Sequence, residues 1–203
     1  MKITCTIYYI NNKKKIKVLV KLYTRNGDDG DTYLLFGKKV SKDDIRVECY
    51  GAIDECMSNL GVAKILSEDQ NLTSIAEVII NIQRKLFIIS SEIAPVEKYK
   101  EMKDKYSFIT QEMIDEIESQ IDYFQQNSPE IKFFVLPGSS LLSSHIDISR
   151  TICRRAERLC VKIGEKKLLN NKNNLILLNR LSDLLFILAR YVDRDKEYVK
   201  ASE

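Results

Sequence analysis

The chain has 203 residues, 44% of them hydrophobic, which is enough for one compact domain with a full core and room for an appendage. Its 32 basic and 29 acidic side chains leave a net charge of +3, far from the lopsided balance of a general nucleic-acid binder, so any anion site must be local. One histidine, His145, argues against a structural zinc site or a histidine-bearing di-iron bundle, and no apolar run approaches the roughly 20 residues of a membrane span.

The first 22 residues hold six lysines and no acidic residue, and they read as an appendage: a targeting segment, or equally a basic tail. A glycine loop follows, "YTRNGDDGDTYLLFG" from Tyr23 to Gly37, and beyond it the pattern is helical in five stretches. The first runs from about Asp43 to Ser67, with Cys49, Ile53, Cys56, Met57 and Leu60 on one face. The second, about Leu72 to Ile93, is closed by Pro95, which cannot donate to a continuing helix. After a lysine-rich connection, Thr110 caps a third helix reaching about Gln126, on which Ile114, Ile117, Ile121 and Phe124 keep the 3.6-residue period. The fourth spans about Ser140 to Gly164, with the glycine suited to a C-terminal cap, and the fifth about Asn174 to Val192. Strands are nearly absent, so the expected fold is an all-α bundle with mostly short connections. Cys5, Cys49, Cys56, Cys153 and Cys160 form no C-x-x-C pair, and an odd count suits a reducing compartment better than a disulfide framework.

The fourth helix carries the most chemical information. At 100° per residue, Leu141, Ile152, Ala156, Leu159 and Ile163 gather on one side, and Arg150, Arg154, Glu157 and Arg158 on the other. With Arg155, four arginines fall between positions 150 and 158, and they repel one another unless anions meet them. Taken alone, such a run reads as a solvated face. "NGDDGDT" is no Walker A loop; taken alone it is a turn, yet its backbone N–H groups and the hydroxyls of Thr24 and Thr32 could bind phosphate without net charge. The cations would come from Lys42 and the arginine helix. Phe133 and Phe134, ahead of a Pro-Gly turn, either plug a bundle end or touch a ligand. Asn179, Arg180 and Asp183 interrupt a leucine-rich helix and either face solvent or line a site. Asp54, at the edge of an apolar face, needs a partner, for which an arginine is the natural choice.

In order, "YTRNGDDG", "VSKDDIRVECYGAIDE", "FVLPGSS", "SRTICRRAER" and "NRLSD" closely resemble the PduO-type ATP:cob(I)alamin adenosyltransferases, over about Tyr23 to Tyr191. The resemblance implies a five-helix up-and-down bundle, ferritin-like in outline, that assembles as a homotrimer with ATP and the corrinoid between subunits. It implies a basic extension at 1–22, a bundle domain at 23–193 and a tail at 194–203. ATP would contact Thr24, Arg25, Asn26, Gly27, Thr32, Lys42, Arg154, Arg155, Glu157, Arg158 and Asn179. Asp54 would pair across the interface with Arg150, and Phe134 would press on the lower face of the corrin ring. The implied reaction moves the 5′-deoxyadenosyl group of ATP to cob(I)alamin, a nucleophile strong enough to need no catalytic histidine, cysteine or serine. Arg154, Lys42 and a magnesium ion would stabilise the departing triphosphate.

The implied partners are a cob(II)alamin reductase and a cobalamin-dependent acceptor enzyme, with no nucleic acid and no membrane. Eukaryotic relatives are mitochondrial and bacterial ones cytoplasmic; the basic start leans toward the mitochondrial case. Three positions depart from the family pattern: Asp29 replaces a common lysine, Asp31 a small or hydroxyl residue, and Ser139 the second glycine of a Pro-Gly-Gly turn. The acidic loop keeps an alternative open, a non-catalytic carrier or sensor of ATP or adenosylcobalamin. The C-terminal "DRDKEYVKASE" matches nothing evident in the family, which leaves a corrinoid-capping tail in doubt.

Overall fold

The computed structural model describes residues 23, 25–35, 37–94 and 107–201. The basic start at 1–22, Thr24, Pro95 and most of the lysine-rich connection lie outside the described residues. Five helices form the body: α1 (Ile45–Asp69), α2 (Thr73–Ile93), α3 (Gln111–Gln126), α4 (Leu141–Glu165) and α5 (Asn173–Tyr191). Ahead of them β1 (Asp31–Tyr33) and β2 (Lys39–Ser41) pair antiparallel, Thr32 opposite Val40. This hairpin was not legible, because three-residue strands give alternation no room to show. It is pinned by Leu34, which is 1% exposed, and its turn uses Gly37 at φ +93, where a side chain would be strained.

Helix order around the bundle is α2, α1, α4, α5, α3, from the packing of α1 on α2 and α4, and of α5 on α4 and α3. Cys49 Sγ donates to the Ala156 carbonyl and Cys56 Sγ to that of Ser149, which sets α1 and α4 antiparallel. Arg180 reaches Glu118, and the Phe124 ring meets that of Tyr191, so α3 and α5 run parallel. Successive helices therefore alternate in direction. The glycine loop and hairpin lie at the end where α4 finishes, and the α3–α4 loop lies at the opposite end.

The caps explain the boundaries. Asp44 accepts from the Arg46 backbone N–H at 2.9 Å to start α1, and Thr110 Oγ1 accepts from Met113 N at 3.4 Å to start α3. Ser140 and Ser143 exchange reciprocal bonds of 3.1 Å, a capping box for α4. The expected stop at Gly164 is corrected: α4 continues through Glu165, and the left-handed residue is Lys167, at φ +58. Its N–H donates to Gly164 O and that of Leu168 to Ile163 O, the paired bonds of a Schellman ending. Asn71 ends α1 in the same way.

Ile, Leu, Ala and Cys fill the core, with Cys49, Cys56, Cys153 and Cys160 all buried and free. Burial pushes the Cys160 thiol up to about 12 and raises that of Cys49, while a hydrogen bond with Cys56 and then burial raise that of Cys153. These thiols are packing groups. Ile152, Ala156, Leu159 and Ile163 are buried as the period required, but Leu141 is 63% exposed, because it is the first helical residue and its face looks outward past the end of the core.

Candidate active site

The glycine loop is a compact series of turns. Asp28 N donates to Arg25 O and Gly30 N to Gly27 O, both at 3.3 Å, and Lys42 N donates to Gly30 O at 2.8 Å. Gly30, at φ +86, needs to be glycine, and Arg25, at φ +61, holds a left-handed conformation uncommon for a side-chain-bearing residue. The Lys42 ammonium folds over the loop and donates to Gly27 O at 2.6 Å. A Cβ on Gly27 would come within 3.1 Å of that ammonium nitrogen and 3.3 Å of the Asp31 carbonyl oxygen, so a larger residue would crowd the lysine by a few tenths of an ångström. Asn26 is exposed beside it and Thr32 half-buried on β1. Thr24 lies outside the described residues.

The two unusual aspartates behave differently. Asp31 forms a 2.6 Å ion pair with Lys39 across the hairpin, which raises the Lys39 pKa. Asp29 is exposed with no partner among the described residues. Lys39 was missed in the sequence, since its role depends on a hairpin that brings it opposite Tyr33. At the root of the hairpin, Asp44 grips the buried Arg46 guanidinium with two bonds of 2.8 Å. Those bonds hold the Asp44 carboxyl down at about 2.

On α4 the arginines separate into free and engaged. Arg154 and Arg158 are exposed and have no acidic partner among the described residues. Arg155 is tied to Glu55 on α1. Glu157 accepts from Asn179 Nδ2 at 2.9 Å; Arg180 donates to Asn179 Oδ1 at 2.8 Å and to Glu118 at 2.6 Å, so Asn179 and Arg180 belong to one chain of bonds while Asp183 faces solvent.

Asp54 is exposed rather than set in the apolar face, and it makes no ion pair among the described residues. Within the chain Arg150 pairs instead with Asp147, Nε to Oδ1 at 2.9 Å. Asp147 is buried and also engages Arg190 of α5, whose guanidinium sits 5.5 Å above the Phe186 ring. The sequence did carry the signal for Asp147: a carboxylate three residues before Arg150 on one helix face.

Phe134 does not plug the bundle. It is 88% exposed, with Leu136 also exposed, at the end where α4 begins. Val135 forms an isolated antiparallel bridge with Lys200, flanked by bonds from Leu136 N to Val199 O at 2.9 Å and from Ala201 N to Phe134 O at 2.8 Å. The glycine loop and Phe134 thus lie at opposite ends of α4, whose 25 residues span about 37 Å, with Arg158, Arg154 and Arg150 spaced along it. Exposed arginines spaced along one helix face suit the oxygens of an extended anion.

The comparisons agree with that reading and narrow it. A profile of the cobalamin adenosyltransferase family matches residues 22–192. The corrinoid adenosyltransferase of Bacillus subtilis is 38% identical over 189 residues, covering 90% of this chain and 94% of its own. A corrinoid adenosyltransferase of Citrobacter freundii is 36% identical over 173 residues, 85% and 94% of the two chains. Among solved structures, a phenylalanine-to-alanine variant of the PduO-type ATP:corrinoid adenosyltransferase of Lactobacillus reuteri, complexed with cobalamin and ATP, superposes with a TM-score of 0.82 at 31% identity, covering 90% of this chain and 100% of that one. The chain belongs to the PduO-type cobalamin adenosyltransferase family. It is accordingly an enzyme, and its reaction is the transfer of the adenosyl group of ATP to cob(I)alamin.

Proposed function

We propose that the enzyme works as a homotrimer in which ATP and the corrinoid lie end to end along the exposed face of α4, closed by a neighbouring subunit. The observation that carries this reading is the bare cationic face. Among the described residues Arg154 and Arg158 have no acidic partner, and they stand between a glycine loop suited to phosphate and an exposed phenylalanine suited to an apolar ring. Exposed Val62 and Ile65 on α1 and Leu141 and Ile148 on α4 give the subunits an apolar surface to bury, and a head-to-tail contact between two different patches closes into a ring.

In this arrangement the triphosphate rests at the glycine-loop end, on the loop N–H groups, Thr32, Lys42 and Arg25. Lys42 has only to exchange the neutral Gly27 carbonyl for a phosphate oxygen. Cobalt(I) attacks the 5′ carbon, the carbon–oxygen bond breaks, and its electron pair leaves with triphosphate. Arg154 and Arg158 stabilise the charge that grows on that leaving group. The Glu157–Asn179–Arg180 chain stiffens α4 against α5 so that the arginines stay in line, and it offers polar groups to the nucleoside. Magnesium would arrive with the triphosphate, since it favours phosphate oxygens and water over a protein cage. Phe134 presses on the lower face of the corrin and excludes the lower axial ligand, which eases reduction of cob(II)alamin by a partner reductase.

Arg154→Glu tests the reading. Turnover of cob(I)alamin with Mg-ATP should fall at least about 100-fold, while the melting temperature stays within a few degrees because the side chain is exposed. Retained turnover would remove the cationic face from the mechanism.

A further inference from the structure

Phe134 poses a positional problem. A side chain 88% exposed makes almost no packing contacts of its own, so its ring can be aimed only by the backbone that carries it. That backbone lies in a loop between α3 and α4, and the C-terminal segment grips it. Ala201 N donates to the carbonyl of Phe134 itself at 2.8 Å, and Leu136 N donates to Val199 O at 2.9 Å, so the Val135–Lys200 bridge is fixed on both sides. The Lys200 ammonium lies 5.1 Å from the Phe133 ring centroid, a cation over the neighbouring aromatic.

The segment is itself anchored to the bundle. Tyr198 donates to the Arg190 carbonyl at 2.8 Å, and Lys196 bridges Asp193 at 2.8 Å and the Ser139 carbonyl at 3.2 Å. Asp193 is buried and accepts from Ser140 Oγ, the cap of α4, at 3.1 Å. The loop is thus tied to residues 193–201 from Phe133 to Ser140, where it enters α4.

We infer that residues 194–201 are a splint for Phe134: they hold its loop by main-chain pairing and by Lys196 and Tyr198, which act as positioning residues for the reduction of bound cob(II)alamin. The inference rests on the role given to Phe134 above. Ser139, standing where relatives have a second glycine, fits it, since the Lys196 bond to its carbonyl fixes the turn whose freedom glycine would otherwise enlarge. Among the described residues the splint has no bond to the glycine loop, which lies at the far end of α4, so it should act on the corrinoid step and leave ATP binding alone.

The test uses the full chain and a variant ending at Arg194. ATP binding is read by calorimetry, the four-coordinate fraction of cob(II)alamin by electron paramagnetic resonance, and turnover by two assays. One assay starts from cob(II)alamin with a reduced flavin supplying the electron; the other starts from preformed cob(I)alamin. The truncation should lower the four-coordinate fraction and the flavin-driven rate about tenfold or more, change ATP affinity less than twofold, and affect the cob(I)alamin assay much less. In a Phe134→Ala background it should cost nothing further, because the group it positions is gone.

Where truncation impairs folding, Ala201→Pro removes the N–H that donates to Phe134 O and should show the same pattern in milder form. Losses that multiply with Phe134→Ala, equal losses in both assays and in ATP affinity, or no loss at all in either variant would each overturn the splint. Failure of the full-length enzyme in the cob(I)alamin assay would count separately, against the trimeric site reading.

Discussion

Asp29 and Asp31 stand two residues apart in the same glycine loop, and their neighbours give them different consequences. Asp31 is neutralised by Lys39 at 2.6 Å, so its charge is largely cancelled before a triphosphate arrives. Asp29 has no such partner among the described residues. Asp29→Lys should therefore strengthen ATP binding by about 1 kcal/mol, roughly fivefold, with the gain shrinking as salt rises, whereas Asp31→Asn should shift affinity less than twofold. Calorimetric titration of Mg-ATP at two ionic strengths checks both. The sequence showed that the loop was more acidic than its relatives, but only the hairpin register revealed which carboxylate is compensated. Phe134 teaches the same lesson: its neighbours in sequence were compatible with a bundle plug or a ligand contact, and exposure of the ring excludes the first.

At the scale of elements, the helices were legible because each long segment repeats its apolar residues at 3.6 and starts on a recognisable cap. Ser140 and Thr110 lie where the pattern put them. The ends were less legible, as α4 shows: a Schellman turn on Lys167 overrode the nearby glycine. The start of α1 joins fold to site, since Asp44 caps the helix, holds the buried Arg46 and so fixes the strand that presents Lys42.

The folded carboxyl of Asp44 is depressed to about 2, chiefly by its bonds to Arg46. A depressed acid contributes stability that is complete above its unfolded value, near pH 4, and is lost as pH falls through about 2. The size expected is about 2 kcal/mol. Wild-type stability should thus drop between pH 4 and pH 2 by about that much more than that of Asp44→Asn, which keeps the cap and loses the charge. Urea melts across that range measure it.

For the whole molecule, the open question raised by the chain alone is why Asp54 and the cationic face of α4 are left uncovered. If Arg150 of one subunit meets Asp54 of the next, Asp54→Arg should weaken both the trimer and turnover, and Arg150→Asp should do likewise. The two changes together should restore assembly in sedimentation velocity at least in part, because the pair would be re-formed with its signs exchanged. Arg150 also leans on Asp147, so full recovery of turnover is not expected. A double variant no better assembled than either single one would dissolve the pairing.

By itself the sequence determined the five helices and most of their starts, the family motifs and hence the reaction, since periodicity, caps and contiguous motifs are local properties of the chain. Tertiary structure decided which charges are free. Lys39 met Asp31 only through a three-residue hairpin, Asp147 joined Arg150 to Arg190 only through the packing of α4 on α5, and the C-terminal segment reached Phe134 only by folding back across the bundle end. Each of these contacts joins groups on separate elements, and no one-dimensional pattern specifies which groups on separate elements will meet.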